Sequence, residues 1–153
     1  MFHRYEYEAQ YYEKLNRVPL DVRRKLDLTG VKFSLNDWLA FSLEERTVLC
    51  HLPSETGEEQ AVLRQFLDFL MRRYRGKPSE LTEPLKIELW EDKSVPAEIT
   101  HKSATLGRTV DLQEWRRWPA HHRYALYKTA NSQSQPEAFE QVLHQLRGEQ
   151  RKT

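Results

Sequence analysis

The adjacent pair His121–His122, the neighbours Cys50–His51 and the paired carboxylates Glu44–Glu45 and Glu58–Glu59 are where titratable or nucleophilic side chains cluster in this sequence. Neighbouring residues on a helix point about 100° apart, so His121 and His122 do not converge on one small metal ion. The remaining imidazoles, His3, His101 and His144, stand alone. A thiol beside an imidazole suggests a nucleophile, but Cys50 follows Val48-Leu49, and an isolated cysteine in apolar company packs as a small hydrophobe. The two glutamate pairs lie near expected helix starts, where a carboxylate opposes the positive end of the helix dipole, so they read as stabilisers. Dinucleotide, Walker, zinc-protease and nucleophile-elbow motifs are all absent, and 5 glycines leave little for a phosphate cradle. No metal or cofactor is expected from these residues.

A different set recurs. At an offset of 77 residues, Val18-Pro19 aligns with Val95-Pro96, Lys25 with Lys102, Gly30 with Gly107, Leu35 with Leu112, Trp38 with Trp115, Arg46 with Arg123 and Leu49 with Leu126. Phe41 and Trp118 match in kind. The tryptophans, each with an aromatic three residues on, have the makings of a base-stacking platform, but large aromatics in a small chain belong first to its core. Recurring basic residues have no propensity reason to match. Lys25, Arg46, Lys102 and Arg123 are therefore the candidate partner-binding residues, with a second reading for Arg46: tying one helix to the C-terminal carbonyls of another or to an acidic cap.

These residues need helices to position them. Pro19 and Pro96 suit helix starts, and Gly30 and Gly107 suit the position just past an end, where positive φ is required. Ser34 with Asp37, Ser42 with Glu45, and Asp111 with Glu114 are capping signals, and Pro119 starts a helix through its fixed φ. A longer helix is expected from about Glu58 to Tyr74, stopped by Gly76 and Pro78, and another from Pro136 to Leu146. The expected fold is mainly all-α. It is one domain, 1–153, made of two pseudo-repeats, about 18–75 and 95–147, each with short helices and one longer helix, joined by a linker over 76–94. Alternation at Leu85, Ile87 and Leu89 permits a short strand in that linker, and the N-terminal stretch is read as extended, entering a helix near Glu8.

Composition limits the function. The chain is 39% hydrophobic and 31% charged, with 24 Lys+Arg against 23 Asp+Glu balanced across both halves, so no bulk basic excess favours phosphate. No run approaches the roughly 18 apolar residues of a membrane span, and the start, Met1-Phe2-His3-Arg4-Tyr5-Glu6, is unlike a signal peptide. A cytoplasmic location is expected. The single Cys excludes an internal disulfide and four-thiolate metal sites supplied by this chain. Paired helices around a glycine turn also suggest a helix-turn-helix regulator, but Leu35 to Ala40 carries Asn36 and Asp37 and no basic residue.

The motifs Tyr5-Glu6-Tyr7-Glu8, Val18-Pro19 through Asp27, Gly30 through Leu35, Trp38 and Phe41-Ser42-Leu43-Glu44-Glu45-Arg46 resemble the nitrate reductase-associated protein family of bacteria, as do Val95-Pro96, Trp115 and Arg123 through Lys128 in the second half. The sequence departs from the family pattern at Arg17, Thr29 and Ser54, where that pattern has cysteines. The resemblance implies an accessory protein without catalytic activity of its own, needed for assimilatory nitrate reductase to become or remain active. Its expected partner is the reductase or its assembly machinery.

Overall fold

The computed structural model describes the backbone of residues 1–152 and the side chains of residues 1–148. It is mainly helical with a minor two-stranded antiparallel sheet. Two compact units are present: one comprises Met1–Arg4 with Glu8–Lys86, the other Tyr5–Tyr7 with the chain from Ile87 onward.

The first unit runs α1 (Leu20–Thr29), β1 (Val31–Lys32), α2 (Leu35–Ala40), α3 (Leu43–His51), α4 (Gly57–Arg75) and β2 (Glu80–Leu81), after a 3-10 turn at Glu6–Tyr11. Local chemistry sets these bounds. Pro19 precedes α1, and Gly30 ends it at φ 72°, with its N–H donating to Leu26 O. Capping boxes open three helices in succession: Ser34 with Asp37, Ser42 with Glu45, and Thr56 with Glu59. Each Ser or Thr oxygen accepts the N–H three residues on, and the acidic side chain there accepts the cap residue's own N–H. Gly76, at φ 69°, stops α4. The helix α4 buries Leu63, Leu67, Leu70 and Met71 in a core shared with Val18, Val22, Trp38, Phe41 and Leu49, and it packs on α1 and α2. Full burial of each of these side chains contributes about 2 kcal/mol.

The second unit has a 3-10 turn at Ile87–Trp90, then α5 (Ala97–Thr105), α6 (Leu112–Arg117), α7 (Ala120–Ala130) and α8 (Ala138–Lys152). Pro96 precedes α5, Asp111 Oδ1 accepts the Glu114 N–H to cap α6, and Pro119 precedes α7. Its buried residues include Trp90, Ile99, Trp115, Trp118, Tyr124, Phe139, Val142 and Leu146, and α7 packs on both α5 and α8. From the N-terminal segment it takes Tyr5, buried and donating through its hydroxyl to His121 O at 3.4 Å. Helices open at Leu20, Leu35 and Leu43 in the first unit and at Ala97, Leu112 and Ala120 in the second, each pair 77 residues apart.

Two local expectations need correcting. The alternating Leu85, Ile87 and Leu89 do not form a strand: Ile87–Trp90 is a 3-10 turn, and the linker's strand is Glu80–Leu81, paired with Val31–Lys32. Pro84 interrupts pairing by lacking an N–H, and the Leu85 N–H is drawn to Asp27 O at 2.8 Å. The N-terminal stretch, free of helix and strand over residues 1–5, enters its helix two residues earlier than expected, and that helix is a 3-10 turn over Glu6–Tyr11.

Candidate partner interface

Lys25 points inward. Its side chain is buried, and Nζ donates to Leu49 O at 3.0 Å and Cys50 O at 2.6 Å, the carbonyls at the end of α3. A buried ammonium is stable only when its donors are met, and the negative end of α3 meets them. Burial lowers the Lys25 pKa from its ordinary value. Around it, Arg24 Nε donates to Asp21 Oδ1 at 2.8 Å, and both Glu8 carboxylate oxygens accept the Leu20 N–H, at 2.9 and 3.2 Å. These charges fix α1 against its neighbours, and a buried pair broken on one side is strongly destabilising.

Arg46 and Arg123 also direct donors to backbone, although Arg46 Nε is buried without a partner among the described residues. Arg46 Nη2 donates to Lys14 O and Nη1 to Phe41 O, each at 3.2 Å, while the Trp38 indole donates to the neighbouring Leu15 O at 2.7 Å. In the second unit, Arg123 Nε donates to Trp90 O at 2.8 Å and Nη1 to Trp118 O, and the Trp115 indole donates to Glu91 O at 2.7 Å. In each unit a tryptophan and an arginine thus pin the segment that leads toward the first helix. Phe41 and Trp118, two of these acceptors, are the residues that close α2 and α6, a contact of the kind the second reading of Arg46 described. Leu15 holds φ 49°, unusual outside glycine, and Trp38 anchors its carbonyl. Lys102, on α5, is half-buried. The structure puts the acceptors of Arg46 and Trp38 on adjacent residues, Lys14 and Leu15, and those of Arg123 and Trp115 on Trp90 and Glu91, and it gives Lys25 a separate set.

The candidate catalytic residues divide similarly. Burial pushes the Cys50 thiol up to about 12, which suppresses the thiolate that a nucleophile requires. The His121 and His122 rings lie edge to face, 4.3 Å apart, with the Tyr5 hydroxyl 3.3 Å from His122 Nδ1. Among the described residues, no group of three or more His, Cys, Asp or Glu is arranged to hold a metal ion.

Solvent-facing charge gathers instead on α6 and its surroundings. Arg108, Glu114, Arg117 and Arg147 line an open cavity of about 390 Å³, and Leu112, Arg116 and Arg117 line a neighbouring one of about 420 Å³. The Glu114 carboxylate grips Arg147 in a two-point pair, with Nε and Nη2 each at 2.9 Å, and both side chains are largely buried. Arg108 reaches the same carboxylate only at 3.4 Å, with its side chain 61% exposed. Arg116 and Arg117 are exposed at the end of α6, where cations favour the helix dipole.

Sequence reasoning missed this cluster because it sought residues that match between the halves. The available signal was a mismatch: Arg116-Arg117 stands opposite Leu39-Ala40 at the 77-residue offset. The helix-turn-helix reading fares poorly on α2, which has six residues and whose Asp37 is paired with Arg75 at 2.9 Å.

A family model described as conserved nitrate reductase-associated protein matches residues 4–146. The chain belongs to the nitrate reductase-associated protein family. The match spans both units, so Arg108, Arg116, Arg117 and the pinning tryptophans of each unit lie inside it, and Arg147 lies one residue beyond its end. No curated protein and no solved structure matches the chain. For this family member, no helix among the described residues is long and apolar enough to cross a membrane.

Proposed function

We propose that this chain is a non-catalytic accessory protein of the cytoplasm that serves an assimilatory nitrate reductase, or the machinery that assembles it, by protein–protein contact. The observation that carries the reading is the family match over residues 4–146. Two features of the site support it. The candidate nucleophile Cys50 is buried with its thiol form favoured, and the exposed charge around α6 is suited to recognising a surface.

The test is growth of a strain lacking the protein on nitrate, nitrite or ammonium as sole nitrogen source, followed by co-purification with the reductase. A defect on nitrate alone, together with co-purification, is expected. Equal growth on all three sources would sink the reading.

A further inference from the structure

We propose that the arginine-lined surface of α6, centred on Arg108 and Arg117, is the docking site for an acidic segment of a protein partner, whose carboxylates enter the 390 Å³ cavity. The inference deepens the accessory reading and rests on it for the partner's identity, but not for the chemistry.

The first observation is an imbalance of charge. Three arginines and the carboxylates of Asp111 and Glu114 line the cavity. Both Glu114 oxygens are engaged by Arg147, and Asp111 Oδ1 caps α6 by accepting the Glu114 N–H. Arg108 keeps only its long contact to Glu114, and Arg117 has no hydrogen bond or ion pair among the described residues. Arg116, also unpaired among them, adds a further cation from the adjacent cavity. The whole chain has a net charge of only +1, so this excess is local.

The second observation is that the local fold does not require these charges. At the 77-residue offset, Arg108, Arg116, Arg117 and Arg147 correspond to Val31, Leu39, Ala40 and Leu70, all uncharged, whereas Glu114 corresponds to Asp37. The first unit builds a helix of the same length at the matching place without a single arginine in these positions. Of these, Arg116 and Arg117, unpaired among the described residues, and Arg108, held only by its long contact to Glu114, are available for recognition.

The third observation concerns the kind of anion. Arg147 is locked by Glu114 and donates to Arg108 O at 3.1 Å, so the wall behind the two exposed guanidiniums is held in place. Guanidinium groups favour two-point pairing with planar carboxylates. Leu112 at 40% and Leu106 at 42% exposure provide apolar contacts near the loop and helix, which suits a segment mixing acidic and aliphatic residues. Glu114 on the cavity wall disfavours a densely charged polyphosphate, and α6, with six residues, offers little length for a nucleic-acid groove.

The test uses the full chain and a fluorescein-labelled peptide of alternating Glu and Leu, with binding read by fluorescence anisotropy. The double variant Arg108→Glu with Arg117→Glu is compared with Lys86→Glu with Lys93→Glu, which changes net charge equally at other exposed positions. The wild-type chain should bind the peptide. Arginine reversal should weaken binding at least about tenfold, and the lysine variant should stay within about twofold. Absence of binding, or equal losses in the two variants, would overturn the proposal, as would equal binding of a control peptide in which every Glu is replaced by Gln, or tighter binding of a labelled DNA duplex. If the reversed variant loses its thermal transition, Arg108→Gln with Arg117→Gln serves the same comparison with less repulsion. Capture of the reductase separates the two readings: recovery by wild type and arginine variant alike removes the site but leaves the accessory function, whereas failure with both, beside normal peptide discrimination, removes the function and leaves the site.

Discussion

Glu8 is held by three donor contacts, two from the Leu20 amide and one from the Tyr12 hydroxyl at 2.8 Å, yet it is buried beside α1. Desolvation raises its pKa from an ordinary 4.5 to about 7, against the opposing pull of Tyr12 and Leu20. A carboxyl raised in this way binds its proton more tightly in the folded protein than in the unfolded chain. Its contribution to stability is therefore full below 4.5 and is lost as pH rises through about 7. Chemical denaturation is expected to show stability falling across that window, by at most about 1.4 kcal/mol per pH unit, with a flatter profile in Glu8→Gln. A profile for Glu8→Gln that parallels the wild type would assign the slope to other groups. Nothing in the sequence marks Glu8 as buried, because a glutamate in an N-terminal turn has no local reason to be. Its burial depends on contacts with Leu20, 12 residues away.

At the level of the elements, the helix boundaries were readable because they are set locally. A serine and the acidic residue three positions on make a capping box whatever lies beyond them, and Gly30 and Gly76 supply the left-handed conformation that ends a helix. The tertiary demand on Gly30 was not readable. A side-chain carbon there would lie 2.3 Å from Thr82 O, because the linker returns over α1 and the Thr82 N–H donates to Gly30 O at 2.7 Å. Gly30→Ala is expected to cost about 2–4 kcal/mol, combining backbone strain with a clash that a backbone oxygen relieves poorly. Gly76 has the same sign of φ but open space around it, so Gly76→Ala should cost only about 1 kcal/mol. Equal losses in denaturant midpoint for the two would contradict the close approach at Gly30.

Across the whole molecule, each unit has its own buried residues, and the chain passes from the first to the second between Lys86 and Ile87. Lys86 is exposed outside any helix or strand, whereas Lys77 is followed by a proline that blocks trypsin. Limited trypsinolysis is expected to cut first at Lys86, among sites between residues 20 and 140, and mass spectrometry of the early fragments checks it. First cleavage within α4 or α7 would contradict it. The sequence by itself determined the mainly helical class, the serine and aspartate caps, the stops at Gly30 and Gly76, the family and the tryptophan–arginine positions, since each depends on residue type at short spacing or on a recurring pattern; α5 closes on Leu106, one residue before Gly107, and α8 continues past Leu146. The tertiary structure decided which charges face water. Lys25 and Arg46 carry the same formal charge as Arg116 and Arg117, but carbonyls brought near by distant segments claim the first pair and leave the second exposed on α6. The availability of a charged group is set by its three-dimensional surroundings, which spacing along one chain does not encode.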